Sequence, residues 1–89
     1  MNICFLIGKI CSKIEFEFIL NSKDISVAMF DIELLDKSVI KVKCYNKIAD
    51  YCYSSLKTNM IITLEGSINS KMEVIIKNIY YSKLRYNCE

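Results

Sequence analysis

The stretch Val27-Ala28-Met29-Phe30-Asp31-Ile32-Glu33-Leu34-Leu35, then Asp36-Lys37-Ser38, then Val39-Ile40-Lys41-Val42-Lys43-Cys44-Tyr45, decides how the rest of the chain is read. Both halves alternate with a period of two, the mark of a strand with one dry face. Ala28, Phe30, Ile32 and Leu34 share one face of the first half, with Val27, Met29, Asp31, Glu33 and Leu35 on the other. In the second half Ile40, Val42 and Cys44 stand opposite Val39, Lys41, Lys43 and Tyr45. A hairpin must match these faces, because a slip of one residue inverts every side chain. A three-residue loop, Asp36-Lys37-Ser38, does so by pairing Leu35 with Val39. It sets Leu34 against Ile40, Ile32 against Val42 and Phe30 against Cys44 inside. Outside, it sets Glu33 against Lys41, Asp31 against Lys43 and Met29 against Tyr45. A two-residue loop would mix Ile32 with Lys41.

Upstream, Ile3 to Leu20 is a long apolar run that reads as one strand or two short ones, bent near Gly8. Downstream, Asn46 is placed to cap a helix, and Ile48, Cys52 and Leu56 form its narrow apolar stripe. Tyr51 and Tyr53 lie off that stripe and are expected to pack on a neighbouring element. Asn59 suits a left-handed turn after the helix. Met60 to Asn69 and Val74 to Tyr81 read as the last two strands, with Gly66 marking a bend or a close backbone approach. Five strands with one helix between the third and fourth make a small all-β protein. That order is the Greek-key barrel of an oligonucleotide-binding (OB) fold. Residues 1–84 form its single domain and 85–89 a short tail.

Composition agrees. The chain has 89 residues, room for one domain, and 53% are hydrophobic, so a compact core is affordable. No targeting leader and no long apolar helix is visible, and a cytoplasmic protein is expected. Cys4, Cys11, Cys44, Cys52 and Cys88 are odd in number, form no C-x-x-C pair and have no histidine beside them. They are expected to be reduced, mostly buried small hydrophobes, and no metal or other cofactor is expected. A glycine-rich phosphate loop and a nucleophile with its base are both missing, which argues against an enzyme. The net charge of +2 permits an anionic polymer as partner without requiring one.

Four segments carry a family resemblance. Asn2-Ile3-Cys4-Phe5-Leu6-Ile7-Gly8-Lys9-Ile10 resembles the opening strand of bacterial single-stranded DNA-binding proteins. Val42-Lys43-Cys44-Tyr45-Asn46-Lys47-Ile48-Ala49-Asp50 is similar to that family's entry into the helix. Leu64-Glu65-Gly66-Ser67-Ile68 and Glu73-Val74-Ile75-Ile76 resemble its last two strands. The resemblance implies a binder of single strands, DNA with RNA left open, that is indifferent to sequence and acts in replication, recombination or repair. It implies phosphate contacts from Lys9, Lys41 and Lys43 and a stacking role for Tyr45. Asn69, Lys71 and Lys77 would line the far side of the same face. It further implies a homodimer or homotetramer paired through the first strand, whose apolar backbone edge needs a partner.

The departures are as specific. Val39 stands where the family commonly has an aromatic, both hairpin loops are short, and after Leu84 this sequence carries no linker or acidic tip. Glu33 and Asp31 opposite Lys41 and Lys43 offer a purely structural role for those lysines, as cross-strand ion pairs. A second function follows from that charge balance: an OB module for protein interaction, like the family's primosomal relatives, with little affinity for DNA.

Overall fold

The computed structural model describes residues 2–20 and 24–80. Its elements are β1 (Cys4–Ile10), β2 (Glu15–Leu20), β3 (Asp24–Glu33), β4 (Val39–Tyr45), α1 (Asn46–Ser55), β5 (Ile61–Ile68) and β6 (Val74–Tyr80). The strands lie in the order β1-β5-β6-β4-β3-β2, and a further pairing of β1 with β3 closes the sheet into a barrel. Among the described strands only β4 and β6 run parallel. β1 and β2 are the two halves of the first apolar segment, so the barrel has the five-strand plan read from the sequence, with the helix before the last two strands.

The break between β1 and β2 lies at residues 11–14, which corrects the bend expected near Gly8. The chain turns there around Asp31: Cys11 N donates to the Asp31 carbonyl, and Asp31 N donates to Ser12 Oγ, each at 2.9 Å. Gly8 instead lies inside β1, where a Cβ would come within 2.9 Å of the Glu33 carbonyl oxygen. Glycine is needed at this position for closeness to β3, not for a turn.

Inward-facing residues of both walls meet in one core. Phe30, Ile10, Ile32, Ile62, Leu64 and Val42 are its largest fully buried members. Burying side chains of this size stabilises by about 1.5–3 kcal/mol each. The helix adds Ala49 and Cys52, with Leu56 just past its end. Cys44 and Cys52 place their sulfurs 3.6 Å apart in this core, and burial with that contact pushes the Cys52 thiol up. Cys4 is half-buried and Cys11 exposed, while Cys88 lies outside the described residues.

The β3–β4 hairpin keeps the predicted faces, save that Val27, read on the outer face, is buried, but it does not keep the predicted register. Phe30 faces Val42, Ile32 faces Ile40, Asp31 faces Lys41, Glu33 faces Val39 and Tyr45 faces Val27. The loop is Leu35-Asp36-Lys37, one residue earlier than expected. Lys37 N donates to the Leu34 carbonyl and Leu34 N to the Ser38 carbonyl, each at 2.9 Å. Lys37 takes a left-handed φ of 74°. The Asp36 carboxylate accepts from Ser38 N at 3.0 Å and Ser38 Oγ at 2.6 Å, which holds its carboxyl below the usual range. Matched faces allow either register, and this turn geometry selects the observed one.

The β5–β6 hairpin repeats the device. Met72 N donates to the Asn69 carbonyl, Asn69 N to the Glu73 carbonyl, and Met72 has a φ of 64°. Asn59, at a φ of 81°, fulfils its expected role after the helix. Asn46 does not cap α1: the N-cap is Tyr45 and no side chain makes a capping bond. Asn46 has a φ of 56°, a conformation that asparagine tolerates, and it redirects the chain from strand to helix.

Candidate nucleic-acid interface

Outward-facing residues of β3, β4 and β6 form one wall. Lys41, Lys43 and Tyr45 project from β4 by the same alternation that sends Val42 and Cys44 inward. Lys41 Nζ lies 3.5 Å from Asp31 Oδ1, directly across the β3–β4 ladder. Lys43 faces Met29 and does not pair with Asp31 as the sequence suggested; its Nζ lies 3.5 Å from Glu73 Oε1. Glu33, expected against Lys41, pairs instead with Val39 on one side and Lys9 on the other.

Glu73 is the residue that sequence reasoning missed as a site member. Asn69 Nδ2 donates to its carboxylate at 3.0 Å, and this bond, helped by Lys43, draws the Glu73 carboxyl below its ordinary value. The signal was available in the spacing: Asn69 and Glu73 flank a three-residue loop, so their side chains must meet. Asn69 Oδ1 also accepts from Lys71 N and Glu73 N, each at 2.9 Å, so this amide organises the hairpin. Lys71 stands exposed at its tip.

Tyr45 is 40% exposed and ends β4. β4 and β6 run parallel with Lys43 beside Ile75, and Tyr45 and Lys77 each lie two residues further along their own strand, toward the same end of the sheet. Lys9 sits apart, where β1 meets Glu33 of β3, in a recess shared with Lys37 and Ile61. Four of the seven sequence-selected residues, Lys41, Lys43, Tyr45 and Lys77, therefore share one wall. Asn69 and Lys71 border it, and Lys9 lies at the seam of the barrel. Tyr53 stacks on Phe16 with ring centres 4.7 Å apart, as expected of a tyrosine packing on a neighbour. Tyr81 and Tyr86 lie outside the described residues.

Such a wall suits a polyanion with planar groups: ammonium heads for phosphates and an exposed ring for a base. Its two central cations already hold carboxylates, so an incoming phosphate must compete with Asp31 and Glu73.

No family model and no curated protein sequence matches the chain. Solved structures do. The SSB domain of a Synechococcus sp. protein superposes with a TM-score of 0.81 at 17% identity, covering 91% of this chain and 96% of that one. The wild-type single-stranded DNA binding protein of Thermus aquaticus gives 0.80 at 12% identity. This chain spans 40% of the length of the Thermus protein. With the strand order, the helix placement and these superpositions agreeing, the chain is an OB-fold barrel of the form seen in single-stranded DNA-binding domains.

Proposed function

We propose that the protein binds single-stranded DNA without regard to sequence, in the service of replication, recombination or repair. Its barrel geometry, shared with an SSB domain and a single-stranded DNA binding protein, is the observation that carries this reading. Lys41, Lys43 and Lys77 supply phosphate contacts, Lys9, Lys71 and Asn69 extend them, and Tyr45 stacks on a base. Binding is non-covalent and needs no cofactor. Copies pair through β1, whose outer side carries the exposed Phe5 and Ile7, into a dimer or a pair of dimers.

A second reading has a specific observation behind it. The pairs Lys41–Asp31 and Lys43–Glu73 leave the centre of the wall neutral, which favours a protein-docking module with little DNA affinity. Fluorescence anisotropy of a labelled oligo-dT of about 30 nucleotides separates the two. Binding that weakens steeply with salt supports phosphate recognition, because each neutralised phosphate releases counterions. No binding at low salt refutes it and leaves the docking module.

A further inference from the structure

The cations at the centre of the wall are paired, whereas a second set beside them is not. β5 and β6 pair Gly66 with Ile76 and Glu65 with Asn78, so Lys77 is an extra residue opposite no partner. This bulge puts Lys77 and Asn78, consecutive in sequence, on the same exposed side of β6. A regular strand would send one of them inward, and a bulge is a device for re-aiming a side chain. Gly66 makes it possible, since a Cβ there would overlap the Ile75 carbonyl oxygen. The re-aimed pair faces helix α1 across an open groove of about 390 Å³, floored by Ile48 and Ile79 and flanked by Lys47 and Tyr51.

The charge in this groove is uncompensated among the described residues. Neither Lys47 nor Lys77 makes an ion pair there, and the first turn of α1 holds no acid. Of the carboxylates on adjoining elements, Glu65 accepts from Asn78 Nδ2 at 3.1 Å and Asp50 accepts from Ser26 Oγ at 3.2 Å, and neither forms an ion pair with Lys47 or Lys77 among the described residues. Tyr51 is 40% exposed, equal to Tyr45. Tyr45 ends β4 and is the N-cap of α1, two residues before Lys47, so the groove begins where β4 ends.

We propose that the groove between α1 and β6 is a second segment of the single-strand path, in which Lys47 and Lys77 bind phosphates and Tyr51 stacks on a base. The proposal rests on the single-strand-binding reading and assigns the stronger electrostatic contribution to this groove, because neither of its lysines is held in an ion pair among the described residues.

The test compares oligo-dT of about 6 nucleotides, near the lower end of the footprint of one OB barrel, with oligo-dT of about 30, well beyond it. Titrations use the wild type, Lys47→Gln/Lys77→Gln, Tyr51→Ala and Lys47→Arg/Lys77→Arg. The double glutamine variant is expected to weaken 30-mer binding about ten-fold and to flatten the log–log salt slope by about 1.4, at about 0.7 per lost phosphate contact. Tyr51→Ala should weaken it at least about five-fold, within the range of one stacked base. The arginine pair should restore wild-type binding; the 6-mer, held on the β4 wall, should be unaffected by Tyr51→Ala and weakened by the glutamine pair only through the Lys77 contact, by less than the 30-mer. A wild type that binds the 30-mer, with a glutamine variant equal to it in affinity and slope, overturns the groove while sparing the wall. A wild type that binds neither oligonucleotide overturns both.

Discussion

On the outer side of β1, Phe5 and Ile7 stand 67% and 60% exposed, with Ile61 of β5 close by. On the outer side of β4, in the same barrel, Lys41 and Lys43 stand against Asp31 and Glu73. Both strands alternate with the same period, and both send small or branched apolar side chains inward. Period-two patterning thus settles which residues are buried by folding, and the chemistry of the other face settles what each wall meets next. One wall is suited to a second protein surface and the other to ions and water.

If the walls differ only outside, core truncations beneath each should cost alike. Phe30→Ala, under the charged wall, is expected to lose about 3–5 kcal/mol and Leu64→Ala, under the apolar one, about 2–5 kcal/mol in urea unfolding. A loss below about 1 kcal/mol for either would mean that its wall is not sealed onto the common core.

Charging the apolar wall should come next in size. Phe5→Lys/Ile7→Lys is expected to convert an oligomeric wild type to monomers in sedimentation velocity, since two desolvated ammonium groups cannot face their symmetry mates. A wild type already monomeric at tens of micromolar would remove that role from β1.

On the charged wall the effects should be smaller. Asp31→Ala frees Lys41 and is expected to tighten oligo-dT binding about two- to five-fold, the range of an exposed ion pair. Glu33→Ala should do less, as Glu33 faces Val39 and makes no ion pair with Lys9 across from it among the described residues. The opposite ranking would contradict the observed register.

The smallest effect concerns pH. The Asp36 and Glu73 carboxyls both ionise more readily in the folded chain than at their ordinary values of 3.8 and 4.5. For such depressed groups the stabilisation is present above those values and fades as pH falls through the lower, folded ones. Urea midpoints should therefore decline from about pH 5 to about pH 3, and Glu73→Gln should make the decline shallower. An unchanged slope in that variant would place the acid sensitivity elsewhere.

The fold was largely legible because it depends on patterns that survive local error. The alternation from Val27 to Tyr45 named the buried faces, and Gly66 and Asn59 marked special backbone. The register was less legible because faces repeat every two residues. Sliding β4 by two costs nothing in patterning, and only the Asp36–Ser38 bonds with the left-handed Lys37 choose between the alternatives. That slide changed the partner of every charged residue on the wall, so the ion pairs were read wrongly even though the faces were right. Glu73 and the Lys77 bulge were hidden for another reason: each acquires its meaning from a pairing with another strand.

The seam between β1 and β5 has a consequence for the birth of the protein. Cys4 pairs with Gly66 across 62 positions of sequence, and every rung from Phe5 to Lys9 spans a comparable distance. Closing so long a loop is entropically slow, and its reward arrives only when the ladder forms. During synthesis, Cys4–Ile10 emerges long before Ile61–Ile68 and must wait for it before most of its backbone finds a partner. In that interval the nascent chain displays its most apolar strand with an open edge. The step that completes the barrel is also the one that ends its exposure to misassociation.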